Sequence, residues 1–158
     1  MITIEAKVLK AANLFTAKGD IRYYLNGIHL NKRGAVEATD GHTGFIVEDE
    51  TLINIEKSII IRIHGTIPAK AGMAYIEVVD KDKGMITFEN NEVILAFSII
   101  DGKFPDMQRV TPKPSEEEAV KEIGINPDYV VRIQKASKIL GQAHTGIAKA
   151  MAEQWGKV

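Results

Sequence analysis

The sequence predicts an α+β domain made of two strand–helix–meander halves and followed by a C-terminal strand–helix extension. Three observations carry this. Residues 20–47, DIRYYLNGIHLNKRGAVEATDGHTGFIV, read as strand, polar hairpin, strand, tight turn and strand. Residues 7–18 switch from the two-residue alternation of a strand to the period of a helix. Residues 58–100 then run through the same order again, with a broken connection where the first half has its helix.

In chain order, residues 1–6 alternate Ile2, Ile4 and Ala6 against Thr3 and Glu5, which predicts a first strand. In residues 7–18, Val8, Leu9, Ala12, Phe15 and Thr16 share one side of a helical wheel and Lys7, Lys10, Asn13 and Lys18 the other. Gly19 stops that helix. Ile21, Tyr23 and Leu25 alternate with Arg22, Tyr24 and Asn26, the pattern of a half-buried strand. The β-branched run SIIIRI at 58–63 predicts a buried strand. Residues 64–74, with Gly65, Pro68 and Gly72, are too broken for a helix. Strands follow at 75–79, 85–89 and 92–100, and residues 101–110 (DGKFPDMQRV) form an irregular arm.

Pro112, Pro114 and the acidic run at 116–118 mark a boundary, giving a domain at 1–113, a linker at 114–118 and an extension at 119–158. The extension reads as a strand at 119–125, a helix at 126–140 with Asn126 as N-cap, Pro127 in its first turn and Gly141 as its stop, and a short helix at 144–155. In the second helix Tyr129, Val130, Ile133, Ala136, Ser137 and Leu140 make the predicted apolar stripe, with Arg132, Lys135 and Lys138 opposite. This helix is expected to stand in for the one missing from the second half, within the chain or on a neighbouring copy.

Composition narrows the chemistry. With 158 residues, 45% of them hydrophobic, the chain can bury a core without staples, and the absence of cysteine excludes disulfides, thiolate catalysis and cysteine-bound zinc. MITIEAKVLK has no secretory pattern, and no apolar run approaches the roughly 20 residues that cross a bilayer, so a cytoplasmic protein is expected. A net charge of −1 and a pI near 6.4 speak against a uniformly basic nucleic-acid binder. Yet both predicted helices carry their basic side chains on their outer faces, as a surface facing a polyanion would. His42 has no second ligand at metal spacing, Asp101 and Asp106 read as turn caps, and nothing suggests an activated nucleophile. No enzyme, metal or cofactor is expected.

Three segments, IRYYLNGIHL at 21–30, ATDGH at 38–42 and IDGKFPDMQRVTPK at 100–113, resemble the middle domain of the bacterial DNA polymerase III beta subunit, the β sliding clamp. They stand in that family's order and at similar separation. EIGINPDYVVRIQKASKIL at 122–140 resembles, less closely, a strand and helix of the family's final domain. The resemblance implies a DNA-clamp (processivity-factor) domain, in a family whose rings of two three-domain chains enclose duplex DNA with helices lining the hole. It implies non-specific contact with DNA phosphates through Lys7, Lys10, Lys18, Arg22, Tyr24, Arg132, Lys135 and Lys138. It also implies a cleft for peptides of a replicative polymerase or other clients, walled by Leu25, Thr39, Gly41, His42, Pro105, Arg109 and Val110.

The turn departs from the family at Thr43 and Gly44, where arginine and leucine are usual, and the family's second cleft wall, from its C-terminal residues, has no counterpart in the sequence. One such domain closes a ring only as a homo-oligomer or with a larger partner, as a compact, phage-type relative would. The alternative is a peptide-binding adaptor or modulator of a replication clamp that does not encircle DNA.

Overall fold

The computed structural model describes residues 1–113 and 122–141. Eight antiparallel strands form one curled sheet in the order β1-β6-β7-β8-β5-β2-β3-β4. The two halves run β1 (Ile2–Glu5), α1 (Ala6–Asn13), β2 (Ile28–Asn31), β3 (Ala35–Thr39), β4 (Gly44–Glu48), then β5 (Ile59–His64), β6 (Met73–Asp80), β7 (Lys83–Phe88), β8 (Asn91–Ile100). The opening strand of each half pairs with the other half's meander: β1 lies on β6, with Ile2 opposite Ile76, and β5 lies on β2, with Ile28 opposite Ile61. This is the predicted sliding-clamp domain frame.

Alternation sorts the strands into two faces. Ile4, Ile28, Leu30, Val36, Ala38, Ile61, Ile76, Ile86 and Phe97 meet Leu9, Ala12 and Phe15 in the main core, so α1 covers one face of the sheet. The first amide of α1 has no side-chain cap; Ala6 N donates to Gly72 O at 2.8 Å, so the loop of the second half closes the helix of the first. The helix ends at Asn13, earlier than predicted, and Thr16 Oγ1 turns back to Asn13 O at 3.0 Å before Gly19 reverses the chain at φ 72°.

The expected strand through residues 21–26 does not form. Asn26 accepts from Asp20 N and donates to Asp20 O, each at 3.0 Å, closing a loop around a 3₁₀ turn at Tyr23–Leu25. Ile21 is 96% exposed and Leu25 1%, so the alternation is that of a loop with one inserted anchor. Strand β2 begins only at Ile28. A second 3₁₀ turn, Glu50–Asn54, buries Leu52, and its Thr51 hydroxyl donates to Thr3 O on edge strand β1.

The second half has no helix. Residues 65–72 form a loop whose Ile67 reaches the core, and the hairpin before β8 turns on Asn90 at φ 57°. The arm crosses to the opposite sheet face, where Phe104 and Met107 bury against Ile60, and ends in one helical turn, α2 (Met107–Val110), capped by Asp106.

Helix α3 (Pro127–Leu140) matches its predicted caps: Asn126 accepts from Asp128 N, and Gly141 ends the helix at φ 67°. It packs within the chain on α1, burying Ala136 and Leu140. Its main helix partner is α1 of the first half, while Ile67 of the 65–72 loop enters the core from the second. The predicted strand at 119–125 is not formed over 122–125, which are unpaired and exposed. Residues 119–121, the linker and the predicted helix at 144–155 lie outside the described residues.

Candidate functional site

The tight turn between β3 and β4 is a hydrogen-bonded knot. Asp40 Oδ1 accepts from His42 N at 2.9 Å and Thr43 N at 2.8 Å, and Thr39 Oγ1 donates to Thr43 O and accepts from Gly41 N. Gly41 sits at φ 89°, a left-handed conformation that favours glycine, with the flexible end of Arg22 as its side-chain neighbour. Burial pushes the Asp40 carboxyl up, but the Thr43 amide, the Arg132 guanidinium and the His42 amide outweigh it and bring the pKa down to about 2.

Helix α3 docks on this knot. Arg132 Nη1 donates to Asp40 Oδ2 at 2.6 Å and to Thr43 Oγ1 at 2.7 Å. Its guanidinium lies about 6 Å from the Phe15 and Tyr129 ring centres, at 6.0 and 5.9 Å, and the Tyr129 ring stacks on His42 at 6.3 Å. One of the two departures from the clamp pattern acquires a physical role: Thr43 supplies a hydroxyl that accepts from Arg132, whereas a Cβ at Gly44 would meet only the flexible end of Met107.

Between turn, arm and helix lies a groove of about 550 Å³. Thr39, Gly41, His42 and Val110, four of the predicted cleft residues, line it. The others lie elsewhere. Leu25 is buried, its carbonyl accepting from Ala17 N in the segment after α1, and Pro105 and Arg109 line a separate cavity on the opposite sheet face. The wall facing the turn comes from Ile133, Ala136 and Leu140 of α3. Their stripe is legible in the sequence, but its docking against Phe15 and Phe45 is not.

The predicted cations are unequal. Lys135 and Lys138 project from α3 into solvent, whereas Arg132 lies on the packed stripe rather than opposite it, and Val130, placed on that stripe by the sequence, is 43% exposed. Lys7 pairs with Glu5 at 2.7 Å, and Lys10 is half-buried. Lys18 Nζ donates to Asn13 O and Thr16 Oγ1; desolvation, then the Arg62 and Arg132 charges, lower its pKa. Arg22 is held by Asp20 through two bonds, and Tyr24 packs on the Ile60–Phe104 cluster. Among the described residues no cluster of three histidines or acids could hold a metal, and no helix is long and apolar enough to cross a membrane.

No family model matches the chain. It is 27% identical over 139 residues to the beta sliding clamp of Rickettsia bellii, covering 81% of this chain and 37% of that protein. It is 26% identical over 119 residues to the beta sliding clamp of Escherichia coli, covering 68% and 31%. The chain thus spans about a third of the length of the curated relatives it matches. Among solved structures it superposes on a sliding clamp (DNA polymerase III subunit beta) from Bartonella birtlesii bound to griselimycin, with a TM-score of 0.51 and 25% identity over 72% of this chain and 35% of that one.

Proposed function

We propose that this chain, a relative of the bacterial β sliding clamps in sequence and in fold, is a non-catalytic, clamp-like processivity factor of DNA replication in the cytoplasm. It would assemble from several copies around duplex DNA, hold it without reading sequence, and dock a replicative polymerase or other clients in the groove beside His42. The observation that carries this is the likeness of the sheet to that of a solved clamp; in this chain α1 lies on its core face and α3 packs beside that helix. Among the charges on these two helices, Lys10, Lys135, Lys138 and Asp128 form no ion pair among the described residues, while Arg132 is held by Asp40 and Lys7 by Glu5. Such a surface favours phosphates without selecting bases. Among the described residues the outer edge of β4 pairs with no strand, which would leave it available to a second copy.

Retention on DNA of different topology tests it. An encircling assembly stays on closed circular DNA and leaves a linear molecule by its ends; equal retention on both excludes encirclement. Binding should also weaken steeply with salt, by about one log unit in affinity per log unit of salt for each phosphate neutralised.

One observation favours a second reading, a non-encircling peptide adaptor or clamp modulator. Arg132, Arg22 and Lys18 are engaged within the chain, while the groove already has two walls. Under that reading, client peptides bind, Val110→Ala weakens them, and Lys135→Ala leaves them unaffected.

A further inference from the structure

A second cavity, of about 670 Å³, opens on the sheet face opposite α1, beneath the arm. Its floor is a buried polar pair. Glu37, 4% exposed between core residues Val36 and Ala38, takes a 2.7 Å bond from His29 and a longer one from the Asn31 amide. The Phe104 ring stacks on the imidazole at 4.6 Å and 21°. A carboxylate only accepts, so the shared proton sits on His29 Nδ1. That leaves Nε2 with no bond to protein. Among the described residues no buried side-chain nitrogen or oxygen lacks a partner, so Nε2 faces the open cavity that His29 lines.

The rim is cationic. Lys32, Arg33, Lys103 and Arg109 line the same cavity, and among the described residues their charged groups make no hydrogen bond or ion pair. The two acids present are already occupied, Glu37 by His29 and Asp106 by capping Gln108 N. Excess positive charge, arginine forks and one inward imidazole nitrogen suit an oxyanion.

We propose that this cavity binds a small phosphate-bearing ligand, with the four cations on its oxygens and His29 Nε2 at its floor. As imidazolium, His29 donates from Nε2 to a phosphate oxygen; as the neutral ring, it accepts from a hydroxyl of the ligand. The site faces away from α1, so it neither needs nor supports the clamp reading.

Inorganic pyrophosphate is the probe, titrated into the full chain at moderate salt by calorimetry and by ¹⁵N spectra. Saturable one-to-one binding is expected, with shifts at His29 Nε2 and the amides of Lys32, Arg33 and Gln108. The Lys32→Ala/Arg109→Ala double variant should bind at least about tenfold more weakly, while Lys7→Ala/Lys10→Ala binds normally. Lys32, Arg109 and Lys7 are exposed and Lys10 is half-buried, and the same spectra report that each variant is folded. Lack of saturation, equal binding by both doubles, or an equal response to sulfate overturns the proposal. So does an acidic peptide or short single-stranded DNA that moves these signals when pyrophosphate does not.

Discussion

The two halves of the sheet share one plan and spend it differently. The first keeps a helix on its core face and a polar, internally hydrogen-bonded turn at Asp40–Thr43 between its last two strands. The second replaces the helix with a loop anchored by Ile67 and closes its last two strands with a short hairpin through Asn90. Every contact with α3 described above falls on the first half. The second leaves Val78, Val79, Val93 and Ile94 substantially exposed. A common frame therefore supports both halves, while the docking surface grew only where a helix and a polar turn stand side by side.

The largest test of that asymmetry is core truncation. Leu9→Ala, beneath α1, should cost about 4 kcal/mol in urea unfolding and Ile67→Ala about 2, because a loop relaxes into a cavity more readily than a helix. Equal costs would show the loop to be packed as firmly as the helix it replaces. Next comes Arg132→Ala, which leaves Asp40 without its ion pair; we expect a loss of about 1–2 kcal/mol, with amide exchange in α3 rising well before exchange in β7 or β8. Thr43→Arg should release α3 in the same way, by setting a second guanidinium beside the first. If α3 exchange is unmoved by either change, the knot does not hold the helix.

A smaller effect is set by pH. The folded pKa of Asp40, about 2, lies below the ordinary aspartate value of 3.8. The unfolded chain therefore binds the proton more readily, and this contribution is complete above pH 3.8 and disappears as pH falls toward 2. Solvent screening leaves it at about 1 kcal/mol. Asp40→Asn should flatten the acid limb of the stability curve; an unchanged limb would assign the acid sensitivity to other carboxylates. Last, Lys7→Ala should leave stability within about 0.5 kcal/mol, its partner Glu5 being exposed, yet weaken DNA retention if α1 faces the duplex.

Most of the frame was legible because its signals are local. SIIIRI, the Asn90 turn and the Asn126–Gly141 caps each state their conformation within a few residues. Residues 21–25 misled because alternating Ile, Tyr and Leu imitates a strand, while the interaction that decides joins the Asn26 side chain to the Asp20 backbone, which no alternation pattern reveals. Arg132 was placed on the outer face because a helical wheel cannot show a carboxylate 92 residues away. The predicted cleft set divided for a related reason: Val110 and Arg109 are neighbours in sequence, but they line cavities on opposite sides of Met107.

The crossing of the opening strands also governs how the chain can fold as it is made. β1 has one sheet partner, β6, so Ile2 and Ile4 stay unsatisfied until Ile76 and Ala74 have been synthesised. The first meander likewise waits for β5 before its inner edge is covered. A nascent chain halted between the halves would expose an apolar strand and a bare sheet edge, which is the surface that chaperones bind. Synthesis and folding should therefore finish in one late, cooperative step rather than half by half.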